Sequence, residues 1–416
     1  MKRLAIIALA AGLSAAPHAL ALDDEHARRA EAMITRSIEW LRAQQDDATG
    51  GWNVPPAPAS PDEPRSPVFP AITALVVQGM LLQPGVDADD PDVAHALAFL
   101  KSFVQPDGGI YDRILPSYNT AIALSALAMA DDAESNAAIK PAQDFLRALQ
   151  WSEASNNALG GAEAPQPVTK DHPFYGGVGY GRHGRPDLSN LNWMLQGLKD
   201  SGLPADDAAY QRALVFLSRV QMLDEVNDMP YADGAAQGGF IYATSVNKDQ
   251  VGSGQTQIDG EDARLEERSE DGPVSSLRCY GSMTYAGFKS MLFADLSRDD
   301  PRVAAAFDWL RRHYTMAENP NVGTDGYYYY LVTLSRALDA WGEPAIEVLG
   351  VRPNERAPKG APNPGEVRDW ANDLVAALEP LQNADGSFRS IDDRWMENNQ
   401  VLITAYALLA LQHAVR

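Results

Sequence analysis

The chain has 416 residues, a formal net charge of −22 at pH 7 and a sequence pI near 4.6. This acidity argues against nucleic acid and anionic membrane surfaces as partners, because both are themselves negatively charged. Cys279 is the only cysteine in the sequence, so no disulfide forms within the chain and packing must stabilise the fold. A single domain of this length buries enough apolar surface to do so.

Residues 1–21 have the features of a secretory signal peptide. Met1-Lys2-Arg3 is basic, the run from Leu4 to Leu13 is apolar, and Ala19-Leu20-Ala21 is a small-x-small cleavage site. The apolar run is too short to span a bilayer, so we expect no transmembrane anchor. The sequence therefore predicts a mature protein that begins near Leu22 and is periplasmic or secreted.

The structural unit of the chain is clearest between Pro91 and Asp131. Apolar residues first recur at helical spacing, which predicts an amphipathic helix: Val93, Leu97, Leu100 and Val104. The run 105–109, with Pro106 and two glycines, ends this helix. The following segment, 118–127, is rich in Ala, Ser and Leu on every side, which is typical of a helix buried all round. The unit is thus an outer helix, a Gly-rich turn and an inner helix.

This unit occurs six times, so residues 22–416 are predicted to form one all-α domain, an (α/α)6 toroid. The inner helices form a buried ring, and the amphipathic helices surround it. An open superhelix is the alternative, although a closed ring needs no capping repeats at its ends. The turns are marked by Gly50-Gly51, Gly108-Gly109, Gly160-Gly161, Gly238-Gly239, Asp325-Gly326 and Asp385-Gly386.

Two segments depart from the repeat. Residues 241–275 form a polar insertion before the fourth inner helix, which is either a lid over the central cavity or a mobile surface loop. Residues 342–365 contain five prolines and are predicted to form an extended connector.

The repeat motifs resemble those of a known family. Phe99-Leu100, Gln105 and Asp107-Gly108-Gly109 carry the likeness, as do Gln382 and the run Asp385-Gly386-Ser387-Phe388. They resemble the prenyltransferase and squalene-oxidase repeat of terpenoid cyclases such as the squalene–hopene cyclases. The same repeat occurs in protein prenyltransferase β subunits and macroglobulin-type thioester domains. The resemblance implies an α/α toroid with a ligand site in its central hollow.

The catalytic motifs of these families are incomplete here. Asp87-Ala88-Asp89-Asp90 has the letters of the D-x-D-D acid of class II cyclases, but it precedes an outer helix, where acids cap helices. The position that suits the motif is Asp187-Leu188-Ser189-Asn190, which keeps one carboxylate. Asp187 is therefore the candidate acid, with helix capping as its alternative role. Leu277 interrupts the zinc-binding Asp-x-Cys pair before Cys279, and no thioester motif is present. We expect no metal and no cofactor.

The remaining candidates lie just before or inside the inner helices, whose N-terminal ends should surround the central hollow. Tyrosine rings there would suit an isoprenoid chain or a developing cation, and Arg278 would hold a polar head group. The predicted substrate-binding residues are Asn119, Asn190, Arg278, Tyr280, Ser282, Tyr285, Tyr328, Glu397 and Asn398.

These observations favour a secreted, terpenoid-cyclase-like toroid that binds, and in an enzyme would transform, an isoprenoid or similar apolar molecule. Two alternatives stay open. The first is a non-catalytic scaffold that binds a polypeptide. The second is a carbohydrate-active α/α barrel, which needs two carboxylates flanking a cleft; Asp187 and Glu397 form the candidate pair.

Overall fold

The structure is a computed structural model that describes residues 22–56, 60, 64–155, 159, 164–181, 185–247, 251–269 and 272–416. The predicted signal peptide, residues 1–21, lies outside these ranges. Within them the chain forms thirteen α-helices, which are α1 (Asp24–Ala43), α2 (Pro70–Leu81), α3 (Pro91–Lys101), α4 (Pro116–Ala130), α5 (Ala133–Leu149), α6 (Leu188–Asp200), α7 (Ala208–Val220), α8 (Ser253–Thr256), α9 (Gly281–Phe293), α10 (Pro301–Arg312), α11 (Tyr327–Trp341), α12 (Trp370–Leu378) and α13 (Gln400–Ala414). None of the helices in the described residues is both long and apolar enough to cross a membrane.

Six of these helices form a closed inner ring. Each packs against the next in the order α2, α4, α6, α9, α11 and α13, and α13 packs against α2. The helix α4 shows why these segments lie inside, since its residues are buried on every side of the helix. The ring closure confirms the predicted all-α toroid and excludes the open superhelix.

The outer helices are α1, α3, α5, α7, α10 and α12, and each is amphipathic. In α1 the buried residues recur every three or four positions: Ala30, Met33, Ile34, Ser37, Ile38 and Leu41. Each outer helix begins at an aspartate whose carboxylate accepts hydrogen bonds from the first free backbone N–H groups. These N-caps are Asp23, Asp90, Asp132, Asp207, Asp300 and Asp369. Asp90 is the last acid of the D-x-D-D run, so this motif caps α3.

In four of the repeats a glutamine contact links one repeat to the next. The Nε2 group of Gln221 donates to the carbonyl oxygen of Gly238 in its own turn (2.9 Å) and to that of Arg302 in α10 (2.8 Å). Gln382 forms the last contact by donating to the carbonyl oxygen of Met33 in α1 (2.9 Å). The repeated glutamine thus joins the end of the chain to its beginning.

The glycine of each such turn lies directly against the next outer helix. Gly386 has a φ of 95°, and a Cβ atom at this position would overlap the carbonyl oxygen of Arg36 in α1. In the third repeat this glycine is Gly176, which lies against Arg212 and accepts from Gln150. The turn predicted at Gly160-Gly161 lies outside the described residues.

Each of the two irregular segments is associated with a short antiparallel strand pair. Strands β1 (Arg264–Ser269) and β2 (Gly272–Leu277) form an antiparallel hairpin within the insertion. A short antiparallel pair, β3 (Ala345–Glu347) and β4 (Val367–Asp369), brackets the proline-rich connector. Asn354 of the connector donates to the carbonyl oxygen of Glu266 (2.6 Å), so the two segments contact each other.

Candidate functional site

A cavity of about 230 Å³ lies where the N-terminal ends of the inner helices meet. All six inner helices contribute to its wall, since each places one or more residues from its first two turns there. The lining residues are Phe69, Ala71, Ile72, Leu75, Leu115, Tyr118, Asn119, Tyr180, Ser189, Tyr242, Tyr280, Ser282, Met283, Tyr329, Trp395, Met396, Leu402 and Tyr406. This is the central hollow that the helix pattern predicts.

Six tyrosines dominate this wall, and their rings contact one another. The ring centroid of Tyr118 lies 6.5 Å from that of Tyr180, and Tyr329 lies 6.2 Å from Tyr406. Burial raises the pKa of Tyr329 to about 12 and the pKa of Tyr118 and Tyr280 well above the usual value. The hydroxyl groups therefore stay protonated, and the wall presents neutral aromatic faces.

Among the described residues, the lining contains no Asp, Glu, His, Lys or Arg. Its polar side chains are hydroxyls and one amide, and that amide is already engaged. Asn119 accepts from the backbone N–H of Ala71 (3.1 Å) and donates to the carbonyl oxygens of Ile114 and Leu115 (3.0 and 3.1 Å). Such a wall suits an apolar ligand with few polar atoms.

Trp395 and Met396 form one side of the mouth of the cavity. Both line it, yet their side chains are 42% and 40% exposed. Both residues also have positive φ angles, 54° and 67°, which non-glycine residues rarely adopt. The segment is held by an ion pair between Arg394 and Asp325 and by the Trp395 ring, which covers Gly326.

Asp187 lies behind the wall rather than in it. Its carboxylate is 1% exposed and caps α6, accepting from the backbone N–H of Asn190 (2.9 Å) and from its side-chain amide (2.8 Å). Burial raises the pKa of Asp187 to about 6, although these hydrogen bonds act in the opposite direction. The hydroxyl of Tyr242, a lining residue, also lowers this pKa, so Tyr242 lies close to the carboxylate. The Tyr242 hydroxyl itself is paired with that of Tyr180 (3.3 Å).

Glu397 has a similar role at another inner helix. Its carboxylate is 1% exposed and accepts from the backbone N–H groups of Tyr328 (3.1 Å) and Tyr329 (2.8 Å) at the start of α11. Burial raises the pKa of Glu397 to about 7 because the loss of water outweighs these two hydrogen bonds. The residue follows Met396 directly, so it also anchors the mouth segment.

Side chains also engage N-terminal N–H groups of other inner helices. The N–H of Ser282 in α9 donates to Asn319 (2.8 Å), and that of Leu402 in α13 donates to Asn399 (3.1 Å). Helix N-termini usually favour anions because of such free N–H groups and the helix dipole. Since protein groups already occupy them here, the cavity gains little affinity for an anionic ligand from these ends.

The predicted site residues fall into three groups. Asn119, Tyr280 and Ser282 line the cavity, whereas Asp187, Asn190 and Glu397 lie behind its wall as caps or cap partners. The other four lie away from it. Arg278 donates to the backbone of the insertion at Asp262 and Arg264, Tyr285 packs on Tyr330, Tyr328 donates to the carbonyl oxygen of Arg389, and Asn398 is exposed.

Sequence reasoning did not select several lining residues. Tyr329, rather than its neighbour Tyr328, faces the cavity, and the helical repeat alone does not say which of two adjacent residues does. Tyr180 and Tyr242 come from loops whose position depends on long-range packing. A signal for Trp395 and Met396 is available in the sequence: two large apolar residues stand in an otherwise polar loop just before an inner helix.

Neither a protein-family model nor a curated protein sequence matches the chain. Among solved structures, the ligand-free type II terpene cyclase MstE from Scytonema matches 94% of this chain and 98% of its own, with a TM-score of 0.50 and 14% identity. A variant of that cyclase in complex with its substrate, geranylgeranyl dihydroxybenzoate, gives the same values. A glycosidase variant covers 95% of this chain and 99% of its own at 12% identity, with a TM-score of 0.48. The chain therefore shares the α/α toroid fold of the terpene cyclase, and at this identity the likeness extends to the fold alone.

Proposed function

We propose that this chain is a terpenoid-cyclase-like toroid whose central cavity binds a neutral isoprenoid or a comparable apolar molecule. The observation that carries the proposal is the composition of the wall, which the described residues build from six tyrosine rings and aliphatic side chains without a charged group. Burying an apolar chain against such a wall is favourable in proportion to the area removed from water.

The same wall disfavours a ligand with a charged head group. A diphosphate or carboxylate in the cavity would lose its hydration without gaining a cationic partner from the lining, which is costly. The helix N-termini that otherwise bind anions are engaged with Asn119, Asp187, Asn319, Glu397 and Asn399. The proposed ligand class is therefore neutral.

Transformation of the ligand, if the chain is an enzyme, rests on Asp187. A carboxylic acid whose pKa is raised to about 6 is a proton donor in mildly acidic solution, and Tyr242, which interacts with it, lines the cavity. The tyrosine faces of the wall would stabilise a cation formed in the cavity. Geranylgeranyl dihydroxybenzoate is the substrate of the cyclase of similar fold, and we do not assign it to this chain.

The geometry does not favour the two alternatives. A carbohydrate-active site requires two carboxylates that reach a cleft, whereas Asp187 and Glu397 cap two different helices behind the wall. A polypeptide-binding scaffold needs no apolar cavity between its inner helices.

Ligand binding tests the proposal. Geranylgeraniol and geranylgeranyl diphosphate differ in charge but share the same chain, and binding of each is measured by calorimetry with the purified mature protein. We expect the alcohol to bind at least about tenfold more tightly, because the diphosphate must be desolvated.

A cavity-filling variant supplies the control. Ala71→Leu places extra methyl groups in the cavity and should abolish binding, whereas Ala94→Leu on the exposed face of α3 should not. Binding of both ligands with equal affinity, or binding that Ala71→Leu leaves unchanged, would contradict the proposal.

A further inference from the structure

The cavity has an aliphatic side and a side that carries hydroxyl groups. In the closed ring of α2, α4, α6, α9, α11 and α13, the helix opposite α2 is α9. Helix α2 and the residue before it contribute only side chains without polar atoms, which are Phe69, Ala71, Ile72 and Leu75. The start of α9 contributes Tyr280 and Ser282 besides Met283. A ligand therefore meets different chemistry at these two sides.

The other tyrosine hydroxyl groups of the wall lie in pairs. These pairs are Tyr180 with Tyr242 (3.3 Å), Tyr329 with Ser189 (3.5 Å) and Tyr118 with Tyr406. Burial and then Tyr406 raise the pKa of Tyr118, so the two hydroxyl groups of this last pair lie close together. The hydroxyl of Tyr280, by contrast, forms no hydrogen bond with any described residue.

The hydroxyl of Tyr280 borders the cavity. Tyr210 and Tyr285 also have hydroxyl groups without a partner among the described residues, but the oxygen atoms of both are fully enclosed by the protein. The oxygen of Tyr280 is not enclosed in this way. Since Tyr280 as a whole is only 1% exposed and lines the cavity, the free space beside its hydroxyl is the cavity itself.

This hydroxyl discriminates between ligands. A hydrocarbon that filled the cavity would displace water from it, and leaving a buried hydroxyl unpaired is more costly than a neutral hydrogen bond is favourable. A charged oxygen would lose its hydration without gaining a free cation. Burial raises the pKa of Tyr280 and Arg394 acts in the opposite direction, but Arg394 already pairs with Asp325. A neutral oxygen avoids both costs.

We propose that the ligand is an alcohol, whose hydroxyl binds Tyr280 and whose hydrocarbon chain lies against α2. This inference rests on the proposed function and deepens it, because it places one polar atom on the apolar ligand. Ser282 accepts from Asn319 (3.2 Å), and its own hydroxyl proton bonds to no other described residue, so it is a second donor on the same side of the cavity. Tyr280 is thus a specificity-determining residue.

A thermodynamic cycle isolates the proposed hydrogen bond. Geranylgeraniol and the hydrocarbon of the same chain without the oxygen are compared in wild type and in Tyr280→Phe, by competition with tritiated geranylgeraniol. The two ligands differ in their transfer from water, but this difference is the same for both proteins and cancels. We expect Tyr280→Phe to weaken binding of the alcohol about tenfold relative to the hydrocarbon.

Tyr285→Phe is the matched control. It makes the same change on α9, at an unpaired hydroxyl outside the cavity, and should leave the ratio of the two affinities unchanged. If both ligands bind but the ratio is the same in wild type and in Tyr280→Phe, the alcohol assignment is wrong and the proposed function stands. If neither ligand binds the wild type, the proposed function itself is contradicted.

A crystal structure of the wild type with geranylgeraniol gives a second readout that needs no variant. We expect the ligand oxygen to lie within about 3 Å of the Tyr280 hydroxyl. A ligand oxygen at the mouth, beside Trp395, would overturn the proposal.

Discussion

At the scale of single residues, Asp187 and Glu397 each bind the start of an inner helix and each have a raised pKa. Each is buried, and each accepts backbone N–H groups at the start of an inner helix. Hydrogen bonds of this kind lower a carboxyl pKa, and yet burial raises the pKa of Asp187 to about 6 and that of Glu397 to about 7. Both groups therefore change charge close to neutral pH.

For Asp187 this predicts the pH dependence of any turnover. A general acid must carry its proton, so product formation should be greatest below about pH 6 and fall about tenfold for each pH unit above that. Asp187→Asn should abolish product while keeping the fold, because Asn is also a good N-cap. Product analysis by mass spectrometry between pH 5 and pH 8 checks this. A rate that rises with pH would exclude Asp187 as the acid.

For Glu397 the raised pKa predicts an effect on stability. Between the unfolded value of 4.5 and the folded value of about 7, the folded protein keeps a proton that the unfolded chain releases. The contribution of Glu397 is therefore fully present below pH 4.5 and is lost as the pH rises to 7, up to about 3 kcal/mol.

Glu397→Gln removes this titration while keeping the size of the side chain. The stability of the variant relative to wild type should increase from pH 5 to pH 8, as measured by urea unfolding. The comparison is made against wild type because His313 and His413, whose pKa values burial lowers to about 4, act in the opposite direction and are present in both proteins. A difference that does not change with pH would contradict the assignment.

The residues of the site were only partly predictable from the sequence. Asn119, Tyr280 and Ser282 were identified because the starts of the inner helices face the hollow. Tyr328 was selected in place of Tyr329, since adjacent helical residues differ by about 100° in direction and the rotation of α11 is set by packing. Trp395 and Met396 depend on left-handed backbone conformations that no residue preference foretells.

At the scale of elements, the repeat motif is explained by contacts between neighbouring repeats. In four repeats the glutamine donates to its own turn and to the next outer helix, and the glycine lets the two backbones approach. Gln105 instead donates to the carbonyl oxygens of Phe103 and Tyr111. The sequence predicted each turn from its glycines. In the third repeat the glycine that lies against the next outer helix is Gly176, whereas the predicted pair, Gly160-Gly161, lies outside the described residues.

The position of the insertion, residues 241–275, was likewise only partly predictable from the sequence. Its polar composition predicted either a lid or a surface loop. Among the described residues of the insertion, only Tyr242 lines the cavity. The hairpin of the insertion contacts Ala236 and the connector instead. The mouth is bordered by a different loop, at Trp395 and Met396, whose role follows from the position of α13 and α11.

Gly386 tests the contact that closes the ring. Gly386→Ala would place a Cβ atom in the carbonyl of Arg36 in addition to the cost of a left-handed backbone, so it should destabilise the fold by about 3 kcal/mol or more. Gly365→Ala is the matched control, because Gly365 also has a positive φ, 86°, but has open space around it. This control should lose only about 1 kcal/mol. Similar losses of unfolding free energy in the two variants would show that the approach to α1 is unimportant.

At the scale of the whole molecule, the net charge of −22 opposes folding through repulsion between like charges. Raising the ionic strength from 10 to 150 mM shortens the screening length from about 30 Å to about 8 Å. We therefore expect Tm, measured by thermal unfolding, to rise between these two conditions. A fall in Tm would mean that surface ion pairs outweigh the repulsion.

The overall fold was easier to predict from the sequence than the candidate functional site. Two helical patterns alternate six times, and six such pairs close into a ring because a closed ring leaves no apolar helix face uncovered. The cavity depends on finer details, since its shape is set by side chains from every inner helix and from the segments that precede five of them. Periodicity assigns a residue to the inside of a ring but does not say whether it fills the centre or leaves space there.

The ring closure also constrains how the molecule can be built. Gln382 and Met33, which join the two ends of the circle, are separated by nearly the whole chain. A nascent polypeptide that emerges amino end first exposes α1 and α2 long before their last neighbours, α12 and α13, have been synthesised. The apolar faces of the early helices are therefore exposed to solvent until synthesis ends. This topology would require a chaperone that shields them during that time.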